Sequence, residues 1–215
     1  PRNPRKKAAL APMSQRPRLV LIDGHALAYR AYFALLRRSF ATRDGRPTGA
    51  VFGFTKMMLE AIGNLKPTCL AVTFDLPQPT FRHEAYDQYK AQRARMADDM
   101  IAQMAPLRTI VDAFDIPIYE LPGWEADDLI GTLARQAAEQ GYEVLILTGD
   151  RDSFQLVTDH VKVVLPKSGV GDLEAWDDFA GRKDLDLKLA AGGCGDALGQ
   201  HLGAAVDGVE AFREA

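Results

Sequence analysis

Cysteine is almost absent: the 215 residues hold two, Cys69 and Cys194. Two cannot build the disulfide framework of a small secreted domain or a cysteine-based zinc site. Cys69 lies in an apolar run, so the pair reads as two separate reduced thiols. No apolar stretch approaches the roughly 18 residues that a membrane-spanning helix requires. The basic start is not followed by a continuous apolar core, so it does not read as a signal peptide. Internal repeats and low-complexity tracts are missing too. So is an excess of positive charge: 26 Lys and Arg face 29 Asp and Glu, for a net charge of −3. That excludes an overall basic footprint for nucleic acid and leaves room only for a local one. Together these absences point to an intracellular, cytoplasmic protein with no membrane contact.

What is present is an ordinary globular composition, 47% hydrophobic and 26% charged. It can fill one sizeable domain or two small ones. The charge is segregated. Residues 1–18 carry six bases and no acid, which leaves −9 on the remainder, and from Asp172 onward ten acids face four bases. Residues 1–17 therefore read as a basic, disordered tail and residues 167–215 as an acidic one.

Arg18–Asp23 (RLVLID) is a short apolar run that ends in an acid and is broken by Gly24, which is how a buried strand reads. Leu70–Asp75 (LAVTFD) repeats the device, and Glu143–Thr148 (EVLILT) runs into Gly149-Asp150-Arg151-Asp152. Shorter strands are expected at Ile116–Glu120 and Val161–Leu165. Helical patterns run over His25–Arg38, over Pro47–Leu65 with the proline in the first turn, from about Asp99 to Phe114, and from Trp124 to Gly141. Strands alternating with helices predict an α/β fold with a mainly parallel, twisted sheet flanked by helices.

In open parallel sheets, ligands bind beyond the carboxyl ends of the strands. Three of the expected strands deliver acids there: Asp23, Asp75 and the pair Asp150/Asp152. A single Asp at such a place is ordinarily a turn or capping residue. The stretch PGWEADDLI adds Glu125, Asp127 and Asp128 at a helix start, where the macrodipole accounts for one or two acids but not for seven at one edge. At 100° per residue, Glu125 and Asp128 lie about 60° apart, with Asp127 flanking them. Carboxylates that close either take up protons or bind cations, and oxygen-only donors favour Mg²⁺ or Mn²⁺ over zinc. The opposite charge stands between residues 81 and 95, where Arg82, Lys90, Arg93 and Arg95 interleave with Phe81, His83, Tyr86 and Tyr89. Bases with aromatics suit phosphate binding and base stacking on single-stranded nucleic acid. A solvated helix carrying local ion pairs is the plainer alternative.

Four collinear stretches resemble one family: LVLIDGHALAYRAYFAL, AVFGFTKMML, AVTFDLPQPTFRHEAYDQYKAQR and PGWEADDLIGTLARQAAEQGYEVLILTGDRDSFQLV. The family is the 5′-nuclease domain at the N-terminus of bacterial DNA polymerase I, related to flap endonucleases. The resemblance covers about residues 18–166, which it marks as the nuclease core. It implies a PIN-like α/β core with a helical arch. The implied activity is metal-dependent hydrolysis of DNA at 5′ ends and flaps in replication and repair. One or two Mg²⁺ or Mn²⁺ ions would serve a monomer without an organic cofactor. By position, Asp23, Asp75, Glu125, Asp127, Asp128, Asp150 and Asp152 are implied as metal ligands, directly or through water. Arg82 and Lys90 are implied to steer the scissile phosphate, with Asp75 and Asp127 beside them in catalysis. Tyr29 and Tyr86 are implied to stack the unpaired end, and Tyr89 and Arg93 join the nucleic-acid surface. After Pro166 the resemblance stops. Gly195–Gln200 (GDALGQ) keeps the Gly-Asp of a second acidic cluster without its later Asp and Asn, and no helix–hairpin–helix-type DNA-binding part is recognisable. Two other readings stay open: a nucleic-acid-binding remnant without turnover, and a related metal-dependent ribonuclease.

Overall fold

Leu19 and Leu21 of the first strand face one side of a sheet, Val20 and Ile22 face the other, and all four are fully buried. That is why the run is apolar without alternation: the strand is covered on both faces. The computed structural model describes residues 16–38, 40–86, 89–90, 95–166 and 173–176. This first strand, β1 (Arg18–Asp23), pairs in parallel with β2 (Cys69–Thr73) on one side and β4 (Glu143–Leu147) on the other. β3 (Ile118–Tyr119) extends the sheet beyond β2, and β5 (Val161–Pro166) extends it beyond β4, both in parallel. β6 (Leu173–Trp176) closes the far edge antiparallel to β5, for the order β3-β2-β1-β4-β5-β6.

The chain thus winds outward from β1 through β2 to β3, then returns to β4 on the other side. The β1/β4 boundary is the point where the winding reverses, and there the carboxyl ends of an α/β sheet open a crevice. On one face the sheet packs against α1 (Gly24–Leu35), α2 (Gly49–Leu65) and α4 (Asp98–Ala113) around Phe54, Met57, Phe74 and Leu107. On the other it packs against α5 (Ala126–Glu139) through Ile130, Leu133 and Ala137. α3 (Phe81–Ala85), five residues long, and two 3₁₀ turns, Leu36–Arg38 and Arg151–Leu156, complete the described elements.

The expected mainly parallel α/β sheet is present, with differences at its margins. α2 begins at Gly49 behind Thr48, so Pro47 lies outside the helix, in an antiparallel bridge with Ala41. α5 begins at Ala126, and Glu125 is its N-cap in extended conformation (φ −94°, ψ 156°). Only two residues of the expected third strand pair in the ladder, although the Pro117 and Tyr119 carbonyls accept from Val72 and Phe74. β6 lies where helical and strand periodicity fade in the sequence. Cys69 is buried and disulfide-bonded, so it is not the free thiol expected. Cys194, the C-terminal acidic stretch beyond Trp176 and residues 1–15 lie outside the described residues.

Candidate active site

β1 ends at Asp23, and the same residue caps α1. Its Oδ1 accepts the Ala26 N–H at 2.9 Å and its Oδ2 accepts the Thr148 hydroxyl at 2.9 Å. Gly24 follows without a loop, and a Cβ on it would run into the Phe74 ring, so the helix can start here only with glycine. Asp23 is buried, and burial pushes its carboxyl up to about 6; the two hydrogen bonds oppose this, and the charges of Asp127 and Asp75 add to it.

Asp75 stands two residues past β2. Its Oδ1 accepts the Ala126 N–H at 2.7 Å, which ties the strand end to the first turn of α5. Its own N–H donates to His25 Nδ1 at 3.0 Å. That bond keeps Nδ1 unprotonated. Burial lowers the pKa of His25, Asp75 opposes the shift, and the nearby Arg108 cation adds to it, so the ring is neutral. Sequence reasoning overlooked His25 and Thr148. The signal for each was a polar residue touching a strand-terminal Asp in the chain or across the sheet.

The crowded helix start separates into distinct jobs. Glu125 and Asp128 form a reciprocal capping box, in which each side chain accepts the other's backbone N–H; the Glu125 N–H reaches Asp128 Oδ2 at 3.2 Å. Glu125 is buried and also takes Lys90 Nζ at 2.7 Å and the Tyr89 hydroxyl at 3.2 Å. Asp128 is gripped on both oxygens by Arg82, Nη1 at 2.6 Å and Nη2 at 2.7 Å. Asp127 is open to solvent on its outer side. The protein packed around it still raises its pKa first, by withdrawing water, and Asp150, Asp75 and Glu125 repel its charge; Lys90 offsets part of this. Asp150 caps the 3₁₀ turn Arg151–Leu156 by accepting the Asp152 N–H at 2.9 Å, and its own N–H donates to Thr148 Oγ1 at 3.1 Å.

These placements make two adjoining clefts. The first, of about 450 Å³, is lined by Asp23, His25, Tyr29, Asp75, Lys90, Glu125, Asp127 and Asp150. The second, of about 440 Å³, is lined by Arg82, Tyr89, Trp124, Asp128 and Asp152, and it shares Glu125 and Asp127 with the first. Five of the seven expected ligands therefore meet in one cleft, while Asp128 and Asp152 face the other. Tyr29 stacks on Phe33, centroids 6.2 Å apart, and Tyr86 is 60% exposed. Arg93 and the partial second cluster at Asp196 lie outside the described residues. The donors are carboxylate oxygens, which fits a hard divalent cation; burial first, and the neighbouring carboxylates second, raise the pKa values of Asp23 and Asp127. Among the described residues, no three His, Cys, Asp or Glu side chains are grouped to hold a metal ion as they stand. Among them also, no helix is long and apolar enough to cross a membrane.

Comparison with known proteins bears on the family and the fold. The family described as the 5′-3′ exonuclease, N-terminal resolvase-like domain matches residues 18–180, which continues past Pro166 and takes in β6. DNA polymerase I of Chloroflexus aurantiacus is 48% identical over 172 residues, 79% of this chain and 18% of that protein. The enzyme of Mycobacterium tuberculosis is 45% identical over 167 residues, 77% of this chain and 18% of that protein. The thermostable DNA polymerase I of Thermus thermophilus is 40% identical over 195 residues, 89% of this chain and 23% of that protein. The chain thus spans about a fifth of the length of these curated relatives. Among solved structures, T5 5′-exonuclease with bound zinc matches with a TM-score of 0.51 and 22% identity, over 69% of this chain and 55% of that one, a likeness of fold. On the family match and these identities, the chain belongs to the 5′-3′ exonuclease N-terminal, resolvase-like domain family.

Proposed function

We propose that this chain is the catalytic core of a metal-dependent 5′-nuclease that hydrolyses DNA phosphodiesters at 5′ ends and flaps. One observation carries the reading: Asp23, Asp75, Glu125, Asp127 and Asp150 converge on a single cleft at the reversal point of the sheet, with Lys90 beside them. Asp23, Asp75, Asp127 and Asp150, with Glu125, would hold one or two Mg²⁺ or Mn²⁺ ions, and Asp152 would join from the neighbouring cleft. Such ions would supply Lewis acidity that activates water and neutralises charge on the phosphodiester. The chain's own residues do the rest. Thr148 and the Ala26 N–H hold the Asp23 carboxylate. The Ala126 N–H and the neutral His25 fix Asp75. Lys90 stands where a scissile phosphate enters, and Tyr29 offers a ring to an unpaired base at the cleft wall. The reading takes the protein to act as a monomer in the cytoplasm.

The test is cleavage of a labelled 5′-flap DNA with Mn²⁺, against an Asp75→Ala control. Cleavage above the control supports the reading, and its absence in a folded, DNA-binding protein refutes it. That second outcome would favour a binding module without turnover. The observation on its side is that Lys90 and Arg82 already neutralise Glu125 and Asp128.

A further inference from the structure

Two cations of the segment after β2 reach the start of α5, and they are held in different ways. Arg82 makes a planar, two-point contact with Asp128, at 2.6 and 2.7 Å. Its guanidinium also lies 4.5 Å over the Phe81 ring. Phe81 donates its N–H to the Gly123 carbonyl at 2.9 Å and packs on Trp124, ring centroids 4.9 Å apart. Asp128 is engaged from behind as well, by the Glu125 N–H. Both oxygens of Asp128 are therefore committed within the protein. Lys90 makes one hydrogen bond, to Glu125 Oε1, from a left-handed backbone conformation (φ +56°) that a residue with a side chain holds only under restraint.

The consequence for α3 follows from its length. Five residues cannot sustain a helix by their own hydrogen bonds, so contacts from outside must set its position. Those contacts converge on the α5 start: Phe81 on Gly123 and Trp124, and Arg82 on Asp128. A bidentate guanidinium–carboxylate pair is the directional member of that set.

We propose that Arg82 and Asp128 are a positioning pair that pins α3 to the N-terminus of α5. On this view Asp128 is not a metal ligand and Arg82 is not the cation that meets the scissile phosphate. Lys90 is the releasable cation, exchanging Glu125 for phosphate when metal and DNA enter. The assignment rests on the nuclease reading for its functional meaning and on the pair's geometry for its structural part. A metal ion would have to strip a two-point guanidinium from Asp128, whereas on Glu125 it meets a one-point lysine contact at 2.7 Å, the Tyr89 hydroxyl at 3.2 Å and Arg82 Nη1 only at 3.8 Å. The two clefts divide the same way: Lys90 lines the one with Asp23 and Asp75, and Arg82 lines the one with Asp128.

Three measurements on the full chain test this. Calorimetric Mn²⁺ titration without DNA should find Asp128→Asn close to the wild type, whereas Asp127→Asn should lose about tenfold or more in affinity. Thermal melting of the metal-free protein should show coupling: Arg82→Gln/Asp128→Asn should melt no lower than the worse single variant. In flap cleavage, Arg82→Gln and Asp128→Asn should each raise KM more than they lower kcat, and Arg82→Lys, which lacks the fork, should rescue only in part. Should Asp128→Asn not fold, Asp128→Glu, which keeps the charge, is titrated in its place. Lost Mn²⁺ binding in the folded Asp128 variant, or additive melting shifts, overturns the proposal. A wild type that neither binds Mn²⁺ nor cleaves sinks the nuclease reading instead, and the melting cycle still judges the pair.

Discussion

The Asp75 carboxylate accepts the backbone N–H of Ala126 at 2.7 Å, so the end of one strand and the first turn of a helix 51 residues later share a single oxygen. The other oxygen, 3.6 Å from His25 Nδ1, belongs to a side chain that lines the cleft. One residue thus builds the site and serves in it, and two substitutions separate these duties. Asp75→Asn keeps an acceptor for Ala126 and should melt within a few degrees of the wild type, while cleavage falls by about 100-fold. Asp75→Ala loses both and should cost a further 1–2 kcal/mol or so of stability, because a helix N-terminal N–H is left without its partner. Equal melting of the two variants would contradict the tether.

Asp23 carries a cost that metal relieves. Its carboxyl is pushed up to about 6 from 3.8, so the folded state holds a proton more tightly than the unfolded chain does. In the metal-free protein this carboxyl gains stability as pH falls from above 6 towards 4, and above 6 its buried charge costs on the order of 3 kcal/mol. Asn can still meet Ala26 and Thr148. Asp23→Asn should therefore raise the metal-free melting temperature at pH 8 while abolishing cleavage. Chemical denaturation at pH 8 checks the first expectation, and a lower midpoint for the variant would reject it.

At the opposite edge of the sheet, Glu143 works in the other direction. Burial raises its pKa, but Arg18, donating through Nε and Nη2 at 2.9 and 2.7 Å, and Lys162 at 3.3 Å lower it more. Its folded pKa thus lies below the unfolded value. The stability it contributes is present above about pH 4.5 and is lost as pH falls through the folded value. Glu143→Gln should flatten the acid limb of the stability curve and cost about 1–3 kcal/mol at pH 7, without touching the cleft. An unchanged acid limb, measured by urea unfolding from pH 3 to 7, would contradict this.

Lys90→Ala removes a cation from Glu125 and from the cleft together. Cleavage should fall by about 100-fold or more, while Mn²⁺ affinity holds or improves, because Glu125 is released. Calorimetry in which that variant loses metal binding would count against placing Lys90 on phosphate.

Much of this was legible in the chain. Continuous apolar runs ending in Asp located β1, β2 and β4 and put Asp23, Asp75 and Asp150 at one edge, because strands covered on both faces carry no alternation to confuse their direction. The division of the acids was not legible. Turning Glu125 and Asp128 through 100° per residue assumes that both are helical, but Glu125 is an extended N-cap. The pair exchange backbone hydrogen bonds where the helical wheel would have them converge on a shared ion. Nor could spacing show that Arg82 crosses from α3 to Asp128, 46 positions away. β6 escaped because an edge strand needs only backbone partners, which leave no periodic trace.

Asp23 ends β1 and, with no residue between, caps α1. Such a junction has no slack. Surface loops absorb inserted residues readily, and the exposed turn at Thr42–Arg46 is a place where this chain can lengthen at little cost. One residue added between Val20 and Asp23 would flip the carboxylate to the other face of the sheet, away from Thr148 and out of the cleft. At this point the number of residues is held as tightly as their identity, and drift in length is as damaging as loss of the acid itself.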